Sequence, residues 1–128
     1  MNILAVDHGE KRIGLAWAQV GLDLVLPYGL IEKSGKEGQL EALKKLIVEE
    51  RIDRVVFGLP FHLESGEETR HTKEIREFAE DLGKSIEAEI CFEDERLTSQ
   101  EADTMGGEVS RDEKAAMIIL QSYLKNLQ

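Results

Sequence analysis

The order of strand-like and helix-like segments predicts an α/β fold: a five-stranded mixed sheet, made of a three-strand antiparallel meander plus two parallel strands, flanked by helices. Three observations carry this expectation. Three apolar, turn-bounded runs follow one another within the first 31 residues, two further apolar runs alternate with helical periodicity, and one long amphipathic stretch ends the sequence. A chain of 128 residues is long enough for a compact domain with a real core and too short for two of ordinary size, so residues 1–128 are expected to form a single domain.

Residues 2 to 7, Asn-Ile-Leu-Ala-Val-Asp, are a short apolar run ending in an acid. A buried strand with a carboxylate at its last position delivers that charge to the open end of a sheet. Gly9 and Gly14 permit a tight hairpin and leave the backbone bare on both sides of the turn into Leu15-Ala16-Trp17-Ala18. Leu24 to Ile31 reads as a third strand, and Pro27 marks it as an edge or a bulge. After the Gly35 to Gly38 turn, Leu40, Leu43, Ile47 and Val48 recur at helical spacing. Arg54 to Pro60 is a buried strand stopped by Gly58 and Pro60. A polar loop through Gly66 then leads to a helix with Ile75, Phe78, Ala79 and Leu82 on one face and Gly83 near its end. Ala88 to Phe92 supplies the fifth strand, followed by a short helical stretch from Ser99 to Met105 and a Gly106-Gly107 loop. Ser110-Arg111-Asp112-Glu113 has the spacing of a capping box and opens a last helix, whose buried stripe is Ala116, Ile119, Leu120, Tyr123 and Leu127.

A hydrophobic share of 41% and a charged share of 33% are those of a soluble globular protein, and no apolar run approaches the length of a membrane span. No charged-then-apolar leader is present, so a cytoplasmic location is expected. The single Cys91 excludes an internal disulfide and reads as a small buried strand residue. The net charge of −10 opposes bulk attraction to nucleic acid. Phosphate contacts would have to be local, from Lys11, Arg12, Arg70, Lys73, Arg76, Arg96, Arg111 and Lys114; each of these also fits a solvated helix face or turn.

Three carboxylates stand out: Asp7 at the end of the first strand, Glu95 beside Asp94 after the fifth, and Asp112 opening the last helix. Strand ends gather ligands in open α/β sheets. Asp112 lies four residues before Ala116, on the extension of the buried stripe, and should face the sheet. Each acid has a simpler explanation: a turn hydrogen bond for Asp7, a charged strand exit with an internal salt bridge for Asp94-Glu95, and helix-dipole compensation for Asp112. Together they point to a divalent-metal site with Asp7, Glu95 and Asp112 as ligands and Asp94 as the alternative to Glu95. Alternation does not fix which of that pair faces Asp7. Arg96 would hold a carboxylate or contact a phosphate. Hard oxygen ligands suit Mg²⁺ or Mn²⁺, and two such ions about 4 Å apart serve both the attacking and the leaving oxygen of a phosphodiester.

Read end to end, the chain resembles the YqgF family, also called RuvX, of the RNase H-like superfamily of nucleases and resolvases. The resemblance rests on Val6-Asp7-His8-Gly9 with Lys11-Arg12-Ile13-Gly14, on Val56-Phe57-Gly58-Leu59-Pro60, on Asp94-Glu95-Arg96-Leu97-Thr98-Ser99, and on Asp112 with the run from Ala115 to Leu124. It implies an RNase H-like fold with Asp7, a carboxylate of the Asp94-Glu95 pair and Asp112 as catalytic and metal-binding residues. It also implies a bacterial cytoplasmic nuclease that matures the 5′ end of small-subunit ribosomal RNA precursors, or a Holliday junction resolvase. The partners would be precursor ribosomal RNA or branched DNA, with ribosomal subunit precursors beside them and no membrane. Lys11, Arg12, Arg70, Lys73 and Arg96 would contact nucleic acid. Two features depart from the family pattern: His8, where Phe or another residue is expected, and the short Gly106-Gly107 connection, which would reduce substrate contacts.

Two other classes compete. Asp7-His8-Gly9 followed by Gly14 also resembles the phosphate loop of sugar kinases and actin, but those close two such domains around a nucleotide. A non-catalytic RNA or ribosome-assembly module could keep the acids for folding. His8 reads as a partly exposed filler beside the acid, and His62 and His71 as surface. No Cys or His spacing suits zinc, and no P-loop or dinucleotide fingerprint is present. No helix carries a spare apolar stripe for a homodimer, so a monomer is expected.

Overall fold

A computed structural model describes residues 1–9, 12–22, 24–32, 35–61, 64–95 and 109–127. Lys11, Arg96, His62, the expected short helix from Ser99 to Met105 and the Gly106-Gly107 loop lie outside the described residues. Five strands, β1 (Asn2–His8), β2 (Arg12–Gln19), β3 (Val25–Glu32), β4 (Arg54–Leu59) and β5 (Glu89–Asp94), form one sheet in the order β3-β2-β1-β4-β5. The first three make the antiparallel meander, and β4 and β5 run parallel to β1. Parallel neighbours need crossover connections. Helices α1 (Lys36–Glu49) and α2 (Arg70–Gly83) supply them, and α3 (Arg111–Leu127) closes the chain.

Side chains alternate across a sheet, so each strand feeds two cores. Leu4 and Val6 of β1, Ile13 and Leu15 of β2, and Val55, Phe57 and Leu59 of β4 pack with Leu43 and Ile47 of α1 and with Ile75, Phe78 and Leu82 of α2. Ile3 and Ala5 of β1, Ala16 and Ala18 of β2, and Val56 of β4 pack with Ala116, Ile119, Leu120 and Tyr123 of α3. Burial on both faces is why β1 and β4 read as continuous apolar runs. At the outer strand, Leu15 pairs with Gly29 but Ala16 with Pro27, so Tyr28 is the extra residue of a bulge. Pro27 thus sits on an edge strand beside a bulge, where its missing N–H is tolerated.

Three details differ from the sequence expectation. Helix α1 begins at Lys36 and takes Gly38 into its first turn, with Gly35 at φ +88° as the preceding residue. Val48 is 74% exposed, while Gln39, Leu43 and Ile47 are buried. One residue turns the helix by about 100°, which carries Val48 off the Leu43–Ile47 stripe into solvent. The helix ends in a Schellman motif, with the Ile52 N–H on the Ile47 carbonyl at 2.9 Å and the Arg51 N–H on the Val48 carbonyl at 3.3 Å. Arg51 occupies its left-handed position at φ +52°, where glycine is usual. Finally, Leu127 is 50% exposed. Helix α3 crosses the sheet obliquely from Gly14 of β2 to Cys91 and Glu93 of the edge strand β5, and Asn126 still reaches Glu93, so Leu127 passes beyond the sheet.

Candidate active site

The row of residues crossing the sheet at Asp7 is nearly bare of side chains. Asp7 pairs with Gly14 of β2. The Val6–Phe57 pairing sets Gly58 of β4 on its other side, and Gly58 pairs with Glu93 of β5. All of them point to the α3 face, because Ala5, Ala16 and Val56, two residues away on their strands, belong to the core under α3.

The vacated space is used on both flanks. Gly14 lies under the first turn of α3, where a β carbon would overlap the Asp112 carbonyl. A β carbon on Gly58 would overlap Ile119 and come within 2.8 Å of Glu95 Oε2. Gly9 turns the hairpin, its N–H on the Arg12 carbonyl at 3.1 Å, and a β carbon there would lie 4.0 Å from Asp112 Oδ1. The start of α3 and the end of β5 therefore settle into glycine notches beside Asp7. Ser110 fixes where α3 begins: its hydroxyl accepts the Glu113 N–H at 3.2 Å and donates to the Glu113 carboxylate at 2.9 Å. The end of β5 is set by the Glu95 N–H donating to the Leu59 carbonyl at 3.1 Å.

Strand alternation, left open by the sequence, resolves the Asp94-Glu95 pair. Glu95 turns to the α3 face and hydrogen-bonds Asp7, while Asp94 is exposed on the opposite face with Phe92. Asp112 is close enough to act on the charge of Asp7, and its Oδ2 lies 3.6 Å from Arg12 Nε. Burial pushes the Asp7 carboxyl above its ordinary range; the hydrogen bond from Glu95 pulls it back, Asp112 raises it, and His71 and Arg111 lower it. Burial, reinforced by the neighbouring charge of Asp7, pushes Glu95 up to about 9. At neutral pH the pair holds a proton, carried by Glu95 and donated to Asp7.

A divalent cation suits this arrangement. Buried carboxylates that repel one another stay ionised only when cations lie among them, and a cation here would take the place of the Glu95 proton. The donors are hard oxygens, the set that Mg²⁺ and Mn²⁺ select. Among the described residues no three His, Cys, Asp or Glu side chains are already drawn together at ligating positions. The arrangement is instead an Asp7–Glu95 pair with Asp112 turned to Arg12.

Of the expected nucleic-acid contacts, Arg12 stands beside the carboxylates. Arg70 and Lys73 lie in the first turn of α2, which follows the carboxyl end of β4, and Arg70 pairs with Glu74 at 3.2 Å. That turn is capped by Thr69, while the Thr72 hydroxyl donates to the Pro60 carbonyl. Arg76 points elsewhere, paired with Glu68 and 5.4 Å from the centre of the Phe92 ring. His8 shares the α2 face with Leu4 and Val6, away from the Asp7 side chain, its ring 4.6 Å from that of Phe78 and 6.2 Å from that of His71.

Sequence reasoning missed two contributions. It read Gly14 as a hairpin residue and Gly58 as a strand stop, whereas both make room for acids on neighbouring elements. It read His71 as surface, whereas His71 is half-buried, its ring 6.2 Å from that of His8 at the end of β1. The hairpin carried a signal for the first: a symmetric turn after Asp7 pairs that acid with Gly14.

The family model described as RuvX, Holliday junction resolvase, matches residues 1–126. A protein of Maridesulfovibrio salexigens named "Putative pre-16S rRNA nuclease" is 32% identical over 133 residues, covering 97% of this chain and 98% of the relative. A protein of the same name from Chlamydia pneumoniae is 40% identical over 136 residues, covering 97% and 89%. Among solved structures, Thermus thermophilus RuvC in complex with a Holliday junction substrate superposes with a TM-score of 0.63 at 13% identity, covering 99% of this chain and 96% of that one. The fowlpox virus Holliday junction resolvase gives 0.63 at 12% identity, with full coverage of both chains. At such identities these two structures speak for the fold alone, and they make it the RNase H-like fold of RuvC-type resolvases.

Proposed function

This chain belongs to the RuvX family of nucleases and resolvases, and from that premise we propose that it hydrolyses phosphodiester bonds of precursor 16S ribosomal RNA during 5′-end maturation, using Mg²⁺ or Mn²⁺. The observation that supports this best is the hydrogen-bonded Asp7–Glu95 pair, with Asp112 near enough to act on the charge of Asp7, set among Gly9, Gly14 and Gly58 at the carboxyl end of the sheet. Asp7 and Glu95 would hold the cation, and Asp112 would complete the set from the far wall. When bound, the cation supplies an activated nucleophile and neutralises charge on the leaving oxygen. Without the cation Arg12 lies against Asp112, the charge of Arg111 favours the ionised form of Asp7, and Lys73 and Arg70, in the first turn of α2, would meet the sugar-phosphate backbone. Ribosomal subunit precursors are the expected setting, with the protein acting as a monomer.

The ribosomal RNA reading takes its substrate from the names of relatives that align over nearly the whole chain. The family description favours a second reading, resolution of a four-way DNA junction. The test is cleavage of end-labelled precursor 16S RNA and of a synthetic four-way junction, with and without Mg²⁺ or Mn²⁺, by the wild type and by Asp7→Asn. Metal-dependent cutting of the RNA alone, lost in Asp7→Asn, is expected. Paired symmetric nicks in the junction would replace it with the resolvase reading, and cutting that survives Asp7→Asn would remove Asp7 from the chemistry.

A further inference from the structure

We propose that the outer edge of β5, with the groove between it and α2, is a docking site for an extended basic peptide segment of a protein partner. The groove has a volume of about 350 Å³ and is lined by Arg76, Ala79, Glu80, Gly83, Ile90 and Phe92. Its notch comes from two small residues one turn apart on α2, Ala79 and Gly83; a β carbon on Gly83 would already stand 3.1 Å from Ile90 Cδ1. Phe92 is 38% exposed on its floor, a large apolar surface on an outer strand.

The main chain beside the groove is set up for strand addition. The N–H groups of Glu89 and Glu95 donate to the Asp53 and Leu59 carbonyls, each at 3.1 Å, so the odd-numbered residues of β5 face β4. The period of two then directs the main-chain groups of Ile90 and Phe92 to the outer edge, where the sheet ends among the described residues. The two edges of the sheet differ. Pro27 and the Tyr28 bulge interrupt β3, whereas β5 pairs regularly over six positions and contains neither proline nor lysine. An added strand would place alternate side chains in the groove, the geometry of β-augmentation.

Charge selects the occupant. Arg76 is engaged by Glu68 and by the Phe92 ring, and Lys84 pairs with Asp81 at 3.6 Å. Glu80 stands on the wall, and Asp94 continues the face of Ile90 and Phe92. With Arg76 turned to Glu68 and Glu80 on its wall, an apolar groove on a chain of net charge −10 matches a Lys- or Arg-bearing strand with one aliphatic anchor and repels a phosphate backbone.

The test titrates the whole ¹⁵N-labelled chain with the peptide acetyl-Thr-Lys-Thr-Leu-Thr-Lys-Thr-amide, whose Lys, Leu and Lys share one face, with an otherwise identical peptide carrying Glu for Lys, and with a single-stranded oligonucleotide. Expected are saturable shifts centred on the Ile90, Phe92, Ala79 and Gly83 amides with the basic peptide only, weakening with salt, and a loss of about tenfold in affinity in the surface variant Glu80→Lys. Shifts scattered over the surface, unchanged affinity in Glu80→Lys, or an oligonucleotide that moves the same amides and displaces the peptide would each overturn the proposal.

Discussion

Raising the pH from 6 to 9 should tighten Mg²⁺ binding by roughly tenfold per unit, with the gain ending near pH 9. Without a cation Glu95 is protonated up to about 9, held there by burial and by the charge of Asp7. A cation that uses Glu95 as a carboxylate must first displace that proton. At pH 7 this costs about two units at 1.36 kcal/mol each, close to 3 kcal/mol, or roughly a hundredfold in affinity relative to the plateau. Calorimetric titration of Mg²⁺ at pH 6, 7, 8 and 9, in buffers of differing ionisation enthalpy, measures affinity and proton release together. Close to one proton should leave per binding event at pH 7, falling away above pH 9, and Glu95→Gln should bind more weakly with the pH dependence gone. Constant affinity across this range, with no proton released, would show that Glu95 is not exchanged from its proton to the metal.

In the absence of metal, Glu95 favours the folded state fully below about pH 4.5, and this contribution is lost as the pH rises towards about 9, because the unfolded chain gives up a proton that the folded one keeps. Glu95→Gln should therefore flatten the fall in stability between pH 5 and 8 and add up to about 3 kcal/mol at pH 7, read by urea unfolding in EDTA; a wild-type slope would count against it. Gly14→Ala should push the start of α3 off β2, costing about 1–3 kcal/mol and weakening Mg²⁺ binding, so an unchanged melting temperature and unchanged binding would contradict the notch. Arg51→Gly should stabilise by about 0.5–1 kcal/mol in thermal unfolding, since glycine takes φ +52° without steric cost, and lower stability would mean that the Arg51 side chain outweighs its backbone.

The sheet was legible because its strands are short, apolar and bounded by glycine, proline and acids, and because the spacing of the helical stretches left room for crossovers. The place of Asp7 near the carboxyl end of β1 was readable because an apolar run closing on a carboxylate is a local pattern. The choice between Asp94 and Glu95 was not local, since it depends on which β5 residues bond to β4, and that is set by the Glu89 and Glu95 N–H groups on partners some 36 residues earlier in the chain. The end of α1 carried no glycine to announce it, because Arg51 takes the left-handed position. Helical spacing groups Val48 with Leu43 and Ile47 and Leu127 with Tyr123, yet one falls off a narrow stripe and the other lies past the edge of the sheet. His71 looked like a helix-start surface residue until the parallel crossover brought the start of α2 to the end of β1.

The acidic balance of the chain, the strongest argument in the sequence against a nucleic-acid substrate, bears differently on a site where basic groups are engaged by the acids themselves. Arg12 lies 3.6 Å from Asp112, and Arg111 and His71 both act on Asp7. A divalent cation shared by the carboxylates would relieve those pairings and leave the basic groups able to meet phosphates. Nucleic-acid affinity should then depend on the metal before any bond is cut. Substituting Ca²⁺ for Mg²⁺ to suppress cleavage, anisotropy with a labelled precursor RNA fragment should show tighter binding in Ca²⁺ than in EDTA. The variant Arg12→Ala should lower the slope of log affinity against log salt by about 0.7–0.9 in Ca²⁺, the loss of one phosphate contact, and leave it nearly unchanged in EDTA. An equal effect of Arg12→Ala in both conditions would mean that Arg12 meets phosphate without release from Asp112, and the coupling between cation and substrate would have to be sought in the carboxylates alone.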